Sequence, residues 1–518
     1  MSTQAADQQG LEKPGASIEK PGASTYSART PDASSELGSV DAIEVHDDPA
    51  AERALTRKID LHVLPMLTLL YLLSFLDRTN VGNARVQGLA TKTHLGTGSA
   101  YNVGLALFFV GYAAFEVPAN LTLKRFNPRV WLPTLTLVWG AVTMLQALVV
   151  NKSGFFAVRF FLGVTEAGLF PGTTFLFSYW YTREQRAVRV AFFFAAAAAA
   201  GSLGGILAYG LGHINTSVID GWQAIFLIEG AITVLVSLVA YAVVPTWPTD
   251  SKRFTASEKA RLFRRLRLAS DSADMEHFNW HGIRSAFTDY KVWLYAFLFH
   301  GAAFSLYTIS LFLPTIITAL GYKAADAQLL TVPVYFLAAI VTLTSAFISQ
   351  RTGRIAINIL LSLSVSLIGY VVIISVQHTA GQYIATFLIA CGTYSATGLL
   401  LAWPIINVSS QSKRCVAAAI QISVGNCGSI IGVLIYRPQF SKDHYRKAHI
   451  ITIGFLLLAV FCASTLWMTL KRDNRQRDRL AARQGEEQAE EKPLAYVDQD
   501  ADSKHSLGDK HPAYRYRY

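Results

Sequence analysis

Four ionisable side chains in apolar surroundings are the residues of this chain best able to do chemistry: Asp77, Arg78, Arg159 and Glu166. Arg159 and Glu166 belong to RFFLGVTEAGLFP (159–171), inside a run from Gly154 to Tyr181 that is otherwise apolar, aromatic or small. A charge at the centre of a bilayer costs about 2.5–3.5 kcal/mol on insertion scales, so neither residue is expected to face lipid. The two stand seven residues apart, two helical turns, which sets them on one face about 10 Å apart along the axis. Asp77 and Arg78 are neighbours, and neighbours on a helix point roughly 100° apart. One of them can address a cavity while the other pairs with an adjacent helix.

Two cations and two acids at similar depth suit coupled movement of an anion. Arginine recognises a carboxylate with a planar, bidentate fork and keeps its proton. A carboxylate screened from water can exchange a proton near neutral pH. Arg78 or Arg159 is therefore expected to bind a substrate carboxylate, with Asp77 and Glu166 as proton carriers whose protonation releases an arginine from its internal partner. A permanent salt-bridge lattice is the structural alternative.

Other polar groups within apolar runs are secondary candidates. Glu116, just before Val117 and Pro118, suits either an inner gate or a kink in its helix. Glu229 suits the backbone donors of a neighbouring broken helix. His300 could titrate in a useful range, although a lone histidine also serves as a hydrogen-bonded packing residue. Trp403, Asn407 and Asn426 could supply aromatic and amide contacts to a substrate. Cys391, Cys415, Cys427 and Cys462 lack metal-ligand spacing and read as small buried hydrophobes. There is no phosphate-binding GxxxxGK[ST] loop and no nucleophile–base or metal constellation, so no enzyme and no cofactor is expected.

The elements that must hold these residues follow from composition. The 518 residues are 52% hydrophobic and 16% charged, as in a chain that crosses a membrane many times. Twelve helices are predicted, at 60–84, 101–123, 130–150, 154–181, 187–211, 222–244, 290–318, 328–349, 355–376, 381–407, 415–436 and 448–470. They divide the chain into an N-terminal tail (1–52), a six-helix bundle (53–244), a central polar loop (245–289) with the basic stretch SEKARLFRRLRLAS, a second six-helix bundle (290–470) and a tail (471–518). The first tail carries a tandem repeat, LEKPGAS then IEKPGAS, and no apolar signal-peptide core. Both tails read as solvated and disordered. Lys and Arg concentrate on one side of the predicted topology, from Arg53–Lys58 through the central loop to Lys471–Arg483. By the positive-inside rule, both ends and the central loop are cytoplasmic. The net charge of +11 is thus topological, with some affinity for anionic lipid, and a nucleic-acid partner is not expected. Glycosylation sequons at Asn151 and Asn215 fall in outer loops too short to favour modification.

The loops after helices 2 and 8, NLTLKRFNPR (120–129) and AFISQRTGR (346–354), occupy equivalent places in the two halves. Each sets a basic residue before a turn and an arginine after it: Arg125 and Arg129, then Arg351 and Arg354. Such loops put cations at helix C-termini and across an interface between halves. They resemble the hallmark loop of the major facilitator superfamily, whose layout is two pseudo-symmetric six-helix bundles, although Lys124 and Gln350 stand at its acidic position. A longer resemblance, over nearly the whole helical region, is to the anion:cation symporter family, and within it to the fungal allantoate and nicotinate permeases. It rests on YLLSFLDRTNVGNA (71–84), LALFFVGYAAFEVPANLTLKRF (105–126), RFFLGVTEAGLFPG (159–172), GWQAIFLIEG (221–230) and GNCGSIIG (425–432), with Trp403, Asn407 and Lys413–Arg414. The resemblance implies an all-α fold and alternating access. It also implies that the Asp-Arg of helix 1 and the Arg and Glu of helix 4 carry substrate and proton. Helix 5 holds FFFAAAAAAGSLGGILAYG (192–210) without the proline that drug:proton antiporters of the superfamily carry there.

The expected function is proton-coupled uptake of a small organic anion, such as a vitamin or ureide carboxylate, by a monomer in the plasma membrane. Export of a secondary metabolite is the alternative, separable by the direction of transport.

Overall fold

The computed structural model describes residues 48–95, 98–214, 216–268, 280–408, 411–490 and 514–518. Secondary structure there is helical: α1 (Pro49–Ala84), α2 (Ala100–Arg125), α3 (Pro128–Leu145), α4 (Lys152–Glu166), α5 (Leu169–Trp180), α6 (Arg183–Leu211), α7 (Gly221–Val243), α8 (Ala256–Leu268), α9 (Trp280–Thr288), α10 (Tyr290–Ala319), α11 (Ala324–Thr352), α12 (Ile355–Ser375), α13 (Thr379–Asn407), α14 (Gln411–Ile435) and α15 (Arg446–Glu490), with short π and 3₁₀ turns between some of them. Among the described residues twelve helical stretches are long and apolar enough to cross a membrane, α4 and α5 together forming one. Asn215 and the repeat at 11–24 lie outside the described residues.

Local chemistry sets the helix ends. Asp48 caps α1 by accepting from the Ala50 N–H at 2.8 Å, with proline at the first helical position. Thr182 with Gln185 and Asp220 with Gln223 form capping boxes at the starts of α6 and α7. Asn151 caps α4, its side chain accepting from Gly154 N–H at 2.8 Å. The span carrying Arg159 and Glu166 breaks at Ala167–Gly168. Pro171 accounts for the break: it has no N–H for the carbonyl four residues back, and its ring crowds that carbonyl. Glu166 thus becomes the last residue of α4.

The first six spans pack against one another, chiefly α2 on α4, α3 on α7 and α1 on α6; the last six do the same through α10 on α14, α12 on α13 and α10 on α15. The two sets meet where α6 packs on α11 and α13, α2 on α14, and α1 on α10. Polar bonds tie the seam at the end of α1: Gln87 Nε2 donates to Gln328 Oε1 at 2.9 Å, and Gln328 Nε2 to the Asn83 carbonyl at 3.2 Å. Asn102 on α2 donates to the carbonyls of Val433 and Tyr436 at 2.6 and 3.0 Å.

The opposite ends of the spans form the basic face. There α8 is amphipathic and lies on the start of α1, Lys58 pairing with Glu258 at 2.7 Å and Arg265 with Glu52 at 3.4 Å. Slight burial pushes the Glu258 carboxyl up, but the Lys58 ammonium and the Thr255 backbone N–H outweigh it and hold the group below its ordinary value.

Two expectations fail on this face. Residues 471–490 are not disordered but continue the last span as α15, largely exposed over 471–482, and Tyr514–Tyr518 are packed on the protein, with Tyr516 buried. The paired basic loops also do not bridge the halves. Arg129 Nε and Nη2 donate to the Tyr241 and Ala242 carbonyls at 2.8 and 3.1 Å, capping α7 within the first six spans. Arg351 lies over the Phe347 ring of its own helix, and Arg125 and Arg354 are exposed. Among the described residues none of these four forms an ion pair with the other half.

Candidate functional site

Arg78 is the centre of the site. It projects from α1 into a box of four rings, its guanidinium carbon 5.4 Å from the centroid of Phe75, 4.9 Å from Phe108, 5.4 Å from Tyr112 and 5.6 Å from Tyr307. Such ring faces favour a cation that has left water. Its Nε and Nη2 both donate to Glu166 Oε2, at 3.1 and 2.7 Å, and its Nη1 to the Tyr307 hydroxyl at 2.7 Å. Glu166 Oε1 has no hydrogen-bond partner among the described residues. The pair is buried on both sides, where truncating one partner leaves an uncompensated charge. Tyr307 belongs to α10, so Arg78 links the first six spans to the last six through one hydroxyl.

Arg159 sits two turns before Glu166 on α4, fully buried. Its guanidinium carbon is 5.1 Å from the Phe108 centroid, so both arginines lie against one ring. The bond from Nη1 to Gln146 Oε1 is long, 3.5 Å, and Nε and Nη2 have no partner among the described residues. Among the described residues the site therefore holds one paired arginine and one whose fork is largely unengaged, a net positive charge in a buried aromatic setting.

A close helix contact creates this arrangement. A Cβ on Gly163 of α4 would strike the Phe108 carbonyl of α2 and come within 2.9 Å of the Tyr112 backbone nitrogen. Only glycine lets α2 approach closely enough to present Phe108 and Tyr112 to the arginines. Gly163→Ala is expected to cost about 1–3 kcal/mol through overpacking, read as a lower melting temperature in detergent together with weaker substrate binding, whereas Gly210→Ala, where a Cβ meets nothing within 4 Å, leaves both unchanged.

Asp77 is separated from this cluster. One position along α1 it points away from Arg78, and its Oδ2 accepts from Trp139 Nε1 of α3 at 3.2 Å and from Thr233 Oγ1 of α7 at 3.1 Å. Among the described residues it pairs with no cation, so the four charges do not form one group and protonating Asp77 releases no arginine. The 100° step between neighbours is the reason. Glu229, one turn from Thr233 on α7, is fully buried with neither carboxylate oxygen hydrogen-bonded among the described residues. It does not cap a broken helix as expected; it is buried near Asp77 where α7 packs on α1 and α3.

The remaining candidates are distributed. Glu116 lies one turn beyond Tyr112 on α2, buried, both oxygens without a partner among the described residues. The bond nearest the kink is made instead by Asn120, whose side chain donates to the Glu116 backbone carbonyl at 2.8 Å. Asn426 is buried on α14 with its Nδ2 unpartnered among the described residues. It is seven residues from Val433, which meets Asn102, so antiparallel packing sets it level with Phe109, about 10 Å along the seam. Trp403 and Asn407 stand elsewhere, at the basic-face end of α13, bonded to Arg517. His300 packs between α10 and α14; its Nδ1 donates to the Val424 carbonyl at 2.8 Å.

Sequence reasoning missed Tyr307, Tyr112, Phe108 and Gln146. Tyr112 and Phe108 are four apart on α2, a spacing that could have suggested a shared face. Tyr307 had no such signal, since it comes from the other half of the chain.

Residues 67–433 match the family model described as the Major Facilitator Superfamily. The chain is similar to MFS transporter prlL of a Fungal sp., 33% identical over 80% of this chain and 86% of that protein. It is also similar to the high-affinity nicotinic acid transporter of Saccharomyces cerevisiae, 30% identical over 92% of this chain and 87% of that one. Among solved structures, the proton:xylose symporter XylE bound to 6-bromo-6-deoxy-D-glucose superposes with a TM-score of 0.62 at 15% identity, covering 80% of this chain and 96% of that chain, a likeness of fold.

Proposed function

The chain belongs to the major facilitator superfamily, and from that premise we propose that it carries a small organic anion together with a proton, as a member of the anion:cation symporter family on its fungal allantoate and nicotinate branch. It is a membrane transporter and not an enzyme. The observation that carries the anion reading is Arg159: a fully buried guanidinium with two unpartnered nitrogens, beside an arginine already held by Glu166. A buried cation without a counter-charge is costly, and a substrate carboxylate supplies the counter-charge in the geometry the fork prefers.

Proton coupling follows from the Arg78–Glu166 pair. A proton on Glu166, accepted at Oε1, removes the negative charge that holds Arg78. Arg78 and Arg159, against the same Phe108 ring, then take the substrate carboxylate between them. Once the substrate leaves, Arg78 draws Glu166 back to its ionised form and the proton departs. Because Arg78 also donates to Tyr307 of α10, occupancy of the site is felt by both halves, as alternating access requires. Asn426 and Glu116 flank the pair along α14 and α2. Asp77 and Glu229, two buried acids near each other, stand outside the arginine cycle.

By the positive-inside rule the basic face is cytoplasmic, and the plasma membrane is the proposed address. The Saccharomyces relative is named for nicotinic acid, so nicotinate, a small planar monocarboxylate, is the first probe. In proteoliposomes with an acidic exterior and neutral lumen, labelled nicotinate or another monocarboxylate from a small panel accumulates above its equilibrium level, and a protonophore abolishes the excess. Neutral analogues such as nicotinamide do not accumulate. Failure of every carboxylate in the panel to respond to the pH gradient contradicts the symport reading; accumulation with the gradient reversed favours export.

A further inference from the structure

Trp403 and Asn407 look like substrate contacts in the sequence, yet the protein itself occupies them. Trp403 Nε1 donates to the Arg517 carbonyl at 3.0 Å, and Asn407 both donates to that carbonyl and accepts from the Arg517 N–H, each at 2.8 Å. This reciprocal pair is how a side-chain amide reads a peptide backbone. Asn474 of α15 does the same for Tyr516, donating to its carbonyl at 2.8 Å and accepting from its N–H at 2.9 Å. Lys291 at the start of α10 donates to the Tyr516 hydroxyl at 3.0 Å and lies 4.2 Å from its ring centroid. Arg477 donates to the Tyr514 carbonyl at 2.7 Å, and Arg515 pairs with Asp478 at 2.8 Å. The segment Tyr514–Tyr518 is thus bound by α10, α13 and α15, all from the last six spans.

Among the described residues, an ion pair of the segment reaches the other half. Arg517 pairs with Glu184 in the first turn of α6, which belongs to the first six spans. Glu184 and Asn407 lie at the basic-face ends of α6 and α13, two helices that run against each other across the seam; along it, a Cβ on Gly398 of α13 would touch Phe194 of α6 at 3.4 Å. The segment therefore lies across the basic-face end of the α6–α13 seam, where the halves must part for a site at Arg78 to open on that side. Its anchorage is unequal. Paired backbone bonds at buried Asn407 and Asn474 hold it to the last six spans, whereas the bond to Glu184 is an exposed ion pair, its partners 50% and 66% accessible.

We propose that Tyr514–Tyr518 is a releasable strap: fixed to the last six spans by Trp403, Asn407 and Asn474, it joins them to the first six through Arg517–Glu184 and biases the basic face toward closure. An exposed ion pair shifts such an equilibrium by no more than about fivefold, so the strap tunes the rate of opening and does not block it. The arginines of the paired basic loops, which among the described residues form no ion pair with the other half, do not supply this link.

The test needs no transported substrate. In the full chain, with the four native cysteines replaced by serine, spin labels at Arg125→Cys and Arg351→Cys report the separation of the halves on the basic face in lipid nanodiscs. Arg517→Glu, at an exposed side chain that leaves the fold unaffected, and deletion of residues 514–518 each raise the long-distance population about two- to fivefold. Arg517→Glu combined with Glu184→Arg restores the original distribution. An unchanged distribution in both Arg517→Glu and the deletion, or a charge swap that does not restore it, overturns the proposal.

Discussion

Glu166→Gln is expected to abolish accumulation driven by a pH gradient while leaving downhill exchange of substrate intact. Glutamine keeps the shape of a protonated glutamate and removes the charge that fixes Arg78 through its two bonds to Oε2, at 3.1 and 2.7 Å. The variant thus mimics one state of the cycle permanently. Arg78 is free to bind a carboxylate at every pH, so substrate affinity becomes insensitive to protons. The effect on uphill uptake is complete, because among the described residues no other carboxylate is paired with either arginine: the hydrogen bonds of Asp77 come from Trp139 and Thr233. Cutting the pair strands a buried cation at a cost of about 3–5 kcal/mol under either role. Bound carboxylate offsets that cost only if the arginine is a substrate site; as mere scaffolding it gains no such relief. The variant would then be poorly folded and inactive in exchange and uptake alike. Counterflow measured beside pH-driven uptake separates the two outcomes.

Arg159→Gln produces the second large effect, with the opposite relation to stability. A guanidinium that supplies two charge-assisted hydrogen bonds, at roughly 1.5–3 kcal/mol each, takes at least about two orders of magnitude of affinity with it when removed. Arg159 has only a 3.5 Å bond to Gln146, so folding loses little and is spared the burial of an uncompensated charge. Binding therefore collapses while the melting temperature without substrate stays level or rises. Arg159→Lys keeps the charge but not the planar fork and lies between the two. A marked fall in the melting temperature of Arg159→Gln without substrate identifies the residue as structural and removes the main support for anion binding.

Much of this site was legible in the sequence, for physical reasons. Charges inside apolar runs are too costly to be incidental, which exposed all four residues. Spacing gave Arg159 and Glu166 a common face, and adjacency divided Asp77 from Arg78. The division goes further than adjacency alone suggested, since α3 and α7 close around Asp77 and leave it outside the arginine cluster. Pro171 was visible, and the break it causes makes Glu166 the end of a helix; the close approach of α2 at Gly163 was not, because it joins residues distant in sequence. Tyr307 was illegible because no local period marks a hydroxyl that must arrive from the other half of the chain. Composition misled at the far end: a polar, charged stretch reads as disordered, whereas α15 runs on to Glu490 and Asn407 and Asn474 recognise the backbone of Tyr514–Tyr518 through pairs of bonds that no side-chain pattern announces.

The central claim is that the Glu166 carboxylate and the substrate carboxylate compete for Arg78, and that a proton on Glu166 decides the contest for the substrate. It is tested most directly by counting protons as substrate binds. In weakly buffered detergent solution near neutral pH, with a pH indicator, saturating nicotinate or the strongest carboxylate of the panel is added to purified protein. The account predicts uptake of close to one proton per site in the wild type, as Glu166 gives up Arg78 and is protonated, and uptake near zero in Glu166→Gln despite retained binding. Equal proton uptake in both proteins, or binding to the wild type with no proton taken up, contradicts it.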